Sequence, residues 1–473
     1  MELIGRGKEK AILQNALKLK TSSFVAVYGR RRVGKTFLIR QSFSNSFSFQ
    51  CTGIFQGKLK EQLENFSSSL SLAGLSGNRK PENWVEAFHL LKETLLANPS
   101  KKKVIFLDEL SWLDVKGSGF VGALEAFWNG WASGRSDIVL VVCASATSWM
   151  IDQIIHGKGG LYHRLTDTIH LLPFTLRECE EFAKAASLPL DRYAIAEAYM
   201  VLGGIPYYWS LLKPELSFSQ NIDYLFGGEH PRLEDEFIYL YSSIFSKPES
   251  YIALVTALGK KKSGLERDEL LKAAKQADNG TSSKRLRELE DSGFIRRYVG
   301  YHKKERSSLY QLIDNFTFFY FEFLQKRPND PHFFTHSLES PEQRAWAGFA
   351  FERLCLEHLP QIKRALGISD VLTEAYSWSC KADLDKGIFG SQIDLLIERK
   401  DRVINLCEMK FSINEFVIDK DYDEKLRQKI SDFVRLSHTR YSLRPTLVTT
   451  YGLKENAYAG RIASLVTLKD LFA

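Results

Sequence analysis

Gly29, Gly34, Lys35 and Thr36 stand at the spacing G-x-x-x-x-G-K-[ST], and each residue type has a task in holding a polyphosphate. Glycine lets successive backbone N–H groups turn inward around phosphate oxygens, where a Cβ would hold the ligand off. The Lys35 ammonium is suited to neutralise β- and γ-phosphate charge, and the Thr36 hydroxyl to sit on Mg2+. Gly29, Arg30, Arg31, Arg32, Val33, Gly34, Lys35, Thr36 and Phe37 are therefore expected to line a nucleotide, ATP or GTP, with Mg2+. A β-rich run at 24–28 precedes the loop and a helical stretch at 36–42 follows it. That helix would aim its positive end at the same phosphates.

Val104-Ile105-Phe106-Leu107-Asp108-Glu109 reads as an apolar strand ending in two acids. Solvated acids at the end of a buried strand are common; the phosphate loop upstream gives this pair a task. Asp108 is expected in the Mg2+ shell, and Glu109 is expected to orient and polarise an attacking water. The second acid favours hydrolysis over binding alone. Ser145 follows the run 138–143 and either senses a γ-phosphate or is a plain turn residue. Arg164 is either a catalytic arginine finger or sensor, or an ordinary surface arginine. Pro206, in Gly203-Gly204-Ile205-Pro206, either lines the adenine pocket or only breaks a helix.

Such residues need a scaffold that gathers strand ends. Residues 1–215 alternate apolar runs with helical stretches, the pattern of a parallel sheet covered by helices. Strands are expected at 24–28, 47–51, 104–107, 138–143 and 168–172, with helices at 36–42 and 122–131. Segment 216–248 reads as a helical connector. Within 249–325, helices at 250–259, 265–277 and 282–292 precede strands at 294–299 and 307–312, the order of a winged helix-turn-helix. Asn279-Gly280 gives its turn, and Thr281 or Ser282 is expected to cap its third helix. The dense apolar run 316–324, interrupted by Glu322, reads as a buried helix. Residues 335–473 open with a helix at 342–359, then a hairpin of 392–398 and 403–410, a helix at 422–436, a strand at 446–450 and a terminal helix.

The winged segment carries much of the charge. Residues 245–310 hold 15 Lys or Arg against 9 Asp or Glu, close to the whole chain's net +7. Leu286, Leu289 and Phe294 suit the buried side of the third helix, leaving Lys284, Arg287 and Arg285 to point outward at DNA phosphates. His302, Lys303, Lys304 and Arg306 cluster at the wing tip. A solvated basic face, a lid or a protein-contact module would show the same pattern.

Asp394 lies on the first hairpin strand and Glu408-Met409-Lys410 ends the second. Because strand side chains alternate, Glu408 and Lys410 share a face, and pairing can bring Asp394 beside them. Two carboxylates and the intervening carbonyl would make an oxygen-rich site for Mg2+ or Mn2+. The metal would activate water, with Lys410 placed for developing charge. Glu398-Arg399-Lys400 repeats the E-x-K spacing but is expected at the hairpin turn. Glu352, in Gly348-Phe349-Ala350-Phe351-Glu352, lies on the preceding helix, and Lys425 and Gln428 lie on the following one. An ordinary salt-bridged hairpin, or a domain that binds without cutting, remains the alternative.

The order of Ile4-Gly5-Arg6 with Glu9, the arginine-rich loop 29–36, Phe106-Leu107-Asp108-Glu109, Leu161-Tyr162-His163-Arg164 and Gly203-Gly204-Ile205-Pro206 resembles the archaeal and bacterial AAA-like ATPases of the STAND group. The C-terminal order of Glu352, Asp394, Glu408 and Lys410 resembles the PD-(D/E)xK nuclease superfamily in the version fused to such ATPases. The resemblance implies adenine nucleotide, with the segment near Ile4–Arg6 and the Gly204/Pro206 region contacting the base. It implies an α/β chain of three parts: a P-loop NTPase parallel-sheet domain with a helical lid, a winged helix, and a restriction-endonuclease-like α/β domain. Two places depart from the family pattern. His163-Arg164-Leu165-Thr166 stands where Gly-Arg-Arg-Thr is common, and Ala144-Ser145 where Gly-Ser is usual.

The bulk numbers fit this reading. At 473 residues, 44% hydrophobic and 26% charged, the chain exceeds one core and has the make-up of a soluble globular protein. Six scattered cysteines form no C-x-x-C pair, and with no secretory leader they point to a reducing cytoplasm. No apolar run approaches a membrane span, so no membrane partner is expected. Thr36, Asp108, Glu352, Asp394 and Glu408 are the expected metal ligands, and nucleic acid, most readily DNA, is the expected partner. The alternative is a nucleotide-controlled DNA-binding regulator or protein switch without nuclease activity. Self-association is not readable from the sequence.

Overall fold

The computed structural model describes residues 3–77, 79–157, 159–303, 308–325, 330–383 and 388–473. Two compact units emerge: Met1–Pro173 with Tyr239–Pro248, and Phe174–Ile238 with Glu249–Ala473.

The first unit is built on five parallel strands: β1 (Ser23–Tyr28), β2 (Phe49–Thr52), β3 (Lys103–Asp108), β4 (Ile138–Ala144) and β5 (Asp167–His170). Their order across the sheet is β2-β3-β4-β1-β5. β3 and β4 are buried along their whole length, as expected for central strands covered on both faces, which read as unbroken apolar runs. All five expected strands form, with β2 starting two residues later than the sequence pattern indicates. Helices Leu59–Leu72 and Trp84–Ala97 were not expected as separate elements. They cover one face through edge-on rings of Phe66, Trp84 and Phe120, joined by Phe88 and Phe127. Parallel order matters for chemistry, because it brings the carboxyl ends of β1, β3 and β4 to one edge of the sheet.

The second unit holds three structural groups. Helices Leu176–Ala185 and Arg192–Leu202 come first. Next, helices Pro248–Gly259, Arg267–Ala273 and Gly280–Asp291 accompany a small antiparallel sheet of β6 (Leu265–Glu266), β7 (Ile295–Val299) and β8 (Ser308–Leu312), ordered β6-β8-β7. Asn279, not Thr281 or Ser282, caps the third helix, its Oδ1 accepting the Ser282 N–H at 3.1 Å. Lastly comes a five-stranded sheet of β9 (Thr373–Cys380), β10 (Ser391–Arg399), β11 (Val403–Lys410), β12 (Ser442–Thr449) and β13 (Ser464–Thr467), ordered β13-β12-β11-β10-β9. β9, β10 and β11 pair antiparallel, whereas β11, β12 and β13 run parallel. Helix Pro341–Glu357 precedes this sheet and helix Lys420–Ser437 packs against β10.

Two expectations need correction. The run 316–324 is not buried throughout: Asn315–Phe319 is, while the wider turn Tyr320–Leu324 is partly exposed around Glu322. Glu398 belongs to β10 rather than to the hairpin turn. No helix among the described residues is long and apolar enough to cross a membrane.

His358 shows how tightly the second unit is tied. The Leu176 N–H donates to its Nε2 at 3.0 Å, and its Nδ1 lies 2.8 Å from the Leu354 carbonyl. Burial holds this imidazole down to about 4, so it is neutral in the fold. An unfolded histidine takes up its proton near 6.5. Stability is therefore undiminished above that pH and falls as pH drops from about 6.5 through about 4. Denaturant midpoints across this window should flatten in His358→Gln. In the first unit, Leu140→Ala in fully buried β4 should destabilise by about 2–5 kcal/mol in chemical denaturation.

Candidate functional site

The turn from β1 into helix Lys35–Ser42 requires backbone angles that side chains resist. Gly29 has φ 143°, and a Cβ there would lie 2.3 Å from the Leu171 carbonyl oxygen. Gly34, at φ 92°, opens the helix. Lys35, the first residue of that helix, folds back over the loop, its Nζ donating to the carbonyls of Gly29 (2.9 Å) and Arg30 (3.0 Å) and to Ser145 Oγ (3.0 Å). All three ammonium donors are thus engaged in a site that is almost closed to solvent. Burial lowers the pKa of this amine, and the charges of Glu109 and Asp108 oppose that shift.

Thr36 donates to Asp108 Oδ2 at 2.9 Å, so the two residues expected around Mg2+ are already in contact. The other Asp108 oxygen accepts the Cys143 thiol at 2.6 Å. Burial, reinforced by the Asp108 charge, pushes that thiol well up, so it stays a donor. Glu109 follows β3 with φ 47°, an unusual angle for a non-glycine, at the entry to helix Leu110–Leu113. Its carboxylate accepts from Ser145 Oγ (2.7 Å) and the Ser145 N–H (3.2 Å). Ser145 therefore joins the lysine to the acid.

Sequence reasoning passed over Cys143. The available signal was alternation: it lies two residues before Ser145 and so on the same side of β4. Arg31 faces Trp112 at 6.0 Å, and Phe37 is partly exposed on the helix. Arg32 has φ 69° and Val33 is buried. Arg164 is exposed in the turn closed by its N–H on the Leu161 carbonyl, apart from the Lys35 network. Arg6 donates to the Leu172 carbonyl at 2.6 Å, which fixes the N-terminal segment beside the end of β5. Pro206 begins helix Pro206–Trp209 in the second unit. Gly204 has a local reason there, since a Cβ would lie 2.0 Å from the Phe174 carbonyl oxygen.

A second group of charged residues lies in the second unit. The pairing Leu395↔Cys407 sets the hairpin register, and the Met409 N–H donates to Asp394 Oδ2 at 3.1 Å. The β9–β10 register shifts between Ile393 and Leu396, a bulge that re-aims the side chains around Asp394. Glu408 is buried, with both oxygens on Lys429 Nζ (2.8 and 2.7 Å) and one 3.7 Å from Lys410. Burial, then the Asp394 charge, pushes Glu352 up to about 8, and the same causes raise Glu408. Glu352, Asp394 and Glu408 are thus brought within electrostatic reach of one another. On the following helix, Lys429 meets the acid. Lys425 is exposed, and Gln428 turns to Asp432 (2.8 Å). Among the described residues no group of three or more His, Cys, Asp and Glu is arranged to hold a metal ion.

On helix Gly280–Asp291, Leu286 and Leu289 are buried, as is Phe294 after it. Lys284 and Arg287 are exposed, Lys284 lying 3.8 Å from Glu288. Arg285 does not project freely: it is half-buried and donates to Gln276 at 2.9 Å. His302 stacks on Tyr301 and Lys303 is exposed, while Lys304 and Arg306 lie outside the described residues.

Residues 3–212 match a family described as an ATPase domain predominantly from Archaea. The parallel sheet with the phosphate loop at the end of β1 is an α/β arrangement of the P-loop kind, and the match makes residues 3–212 similar to ATPase domains. An uncharacterized protein of Methanocaldococcus jannaschii, MJECL04, is 24% identical over 367 residues, covering 76% of this chain and 78% of that protein. Among solved structures, the Walker-type ATPase PABY2304 of Pyrococcus abyssi aligns over 67% of this chain and 96% of its own, with 16% identity and TM-score 0.47. The Aeropyrum pernix ORC2 protein in ADPNP–ADP complexes aligns over 76% and 96%, with 15% identity and TM-score 0.41.

The Gly29 geometry generates a direct test. Gly29→Ala should abolish measurable ATP binding in a fluorescent-nucleotide titration, while Arg31→Ala, whose partly buried side chain faces Trp112, should shift affinity by less than about tenfold.

Proposed function

We propose that this chain binds and hydrolyses ATP with Mg2+ and uses the nucleotide state to govern its action on DNA. The observation that carries the ATPase part is the closed set of contacts joining Lys35, Ser145 and Glu109 beside the Thr36–Asp108 pair. Lys35 would exchange its carbonyl partners for β- and γ-phosphate oxygens. The Thr36 hydroxyl and Asp108 carboxylate are hard oxygen donors already 2.9 Å apart, which fits Mg2+, and the ion would offset phosphate charge. Glu109 would accept the hydrogen bond of an attacking water, with Ser145 holding its carboxylate in place. Arg164 is proposed as a catalytic arginine.

The segment 249–325 is read as a winged helix contacting DNA through Lys284 and Arg287 of helix Gly280–Asp291. The excess of basic residues in 245–310 supports this reading. Residues 335–473 are read as a PD-(D/E)xK nuclease-like domain. Asp394 and Glu408 would take Mg2+ or Mn2+, with Glu352 beside them and Lys410 near the scissile phosphate. Lys429 favours a second reading, a DNA-binding regulator that never cuts, because its ammonium already occupies both Glu408 oxygens.

Three variants separate these readings. Glu109→Gln should retain ATP binding while hydrolysis falls about 100-fold or more in a phosphate-release assay. Asp394→Ala should abolish any Mg2+- or Mn2+-dependent cleavage of DNA without altering DNA-stimulated ATP hydrolysis. Lys429→Met should tighten Mn2+ binding, measured by electron paramagnetic resonance. DNA-stimulated hydrolysis with no cleavage by wild type would favour the regulator.

A further inference from the structure

The basic three-helix segment is not a free appendage of the second unit. Helix Gly280–Asp291 is tied to β7 where the Arg297 N–H donates to Glu290 at 3.2 Å and the Phe294 N–H to the Leu289 carbonyl at 2.9 Å. At its far end β7 runs into the five-stranded sheet. Gly300 bridges to Ser377 of β9, and the Tyr301 N–H donates to the Ser377 carbonyl at 3.0 Å. The Tyr301 ring, 6% exposed, is a member of the core beneath that sheet, 5.3 Å from Phe433 and in the same cluster as Trp378, Ile393 and Leu396.

A second attachment lies at β8. Arg353, next to Glu352 on helix Pro341–Glu357, is 3% exposed and donates to the Leu312 carbonyl at 3.0 Å and the Phe349 carbonyl at 2.8 Å. Its guanidinium lies 3.7 Å over the Phe318 ring. Asn315 adds a bond to Glu357 at 3.3 Å. A buried arginine at one end and a buried tyrosine at the other fasten, among the described residues, the helix that carries the exposed basic residues to the strands that carry the carboxylates.

We propose that helix Gly280–Asp291 and the Glu352–Asp394–Glu408 cluster act on a single DNA duplex as a ruler of fixed length. A duplex held by Lys284 and Arg287 meets the carboxylates at one set distance along its axis. The wing strand β7 serves as the strut, with Gly300 and Tyr301 at its end held against β9. The proposal rests on the DNA-contact reading above, but not on cleavage by the carboxylates.

Paired chemical cutting tests it in the full chain. Five of the six native cysteines are buried, and Cys380 can be replaced by serine. Thr281→Cys, at the start of the basic helix, and Lys425→Cys, one turn from Lys429, are both exposed sites for an iron–EDTA chelate. DNA binding is checked first by gel shift. With both chelates on one molecule and DNA in excess, the two hydroxyl-radical cuts should release fragments of a single length class, less than about one helical turn wide. Adding Tyr301→Ala should broaden that class. A continuum of lengths, or cuts from one chelate only, overturns the ruler while leaving DNA binding intact. Failure to shift any duplex overturns the DNA reading itself, and the ruler with it.

Discussion

The Lys35 ammonium, held by two loop carbonyls and Ser145, is the interaction on which the proposed nucleotide site depends. A buried cation is tolerable only when its donors are satisfied and acids stand near, and both conditions are met here. Placing those partners requires β1 and β4 side by side, because Gly29 and Arg30 follow one strand and Ser145 the other. Parallel β3 then brings Asp108 and Glu109 to the same edge. Sheet order and chemistry are in this sense one constraint. Moving a strand would leave the lysine charged and unpaired.

In the second unit the electrostatic situation is reversed, with carboxylates sharing a poorly solvated space. Glu352 and Glu408 are raised first by burial and then by Asp394, and Lys429 and Lys410 offset part of that repulsion. The cluster thus concentrates negative charge and answers it with two ammonium groups from the protein itself. Those ion pairs offset the cost of burying the acids.

Legibility in the sequence followed the range of the interaction. The phosphate loop was readable because its parts are contiguous and each residue type is dictated by phosphate chemistry. β3 and β4 were readable because central parallel strands are apolar throughout. Cys143 was missed because its role arises only when β4 lies beside β3 and Asp108 turns toward it. Lys429 was missed for a related reason: Lys425, Gln428 and Lys429 lie within little more than one turn, and the docking of helix Lys420–Ser437 selects which reaches Glu408. β9 carries a weak alternation of partly exposed residues, as an edge strand often does, so periodicity left it unmarked. Arg285 looked outward by helical phase but found a partner in Gln276.

The most direct measurement is calorimetric titration of nucleotide-stripped protein with Mg·ATP, in wild type and Lys35→Ala. The account predicts saturable one-site binding by wild type and a loss of about 100-fold or more without the ammonium. No binding by wild type, or equal affinity in the two proteins, would contradict it.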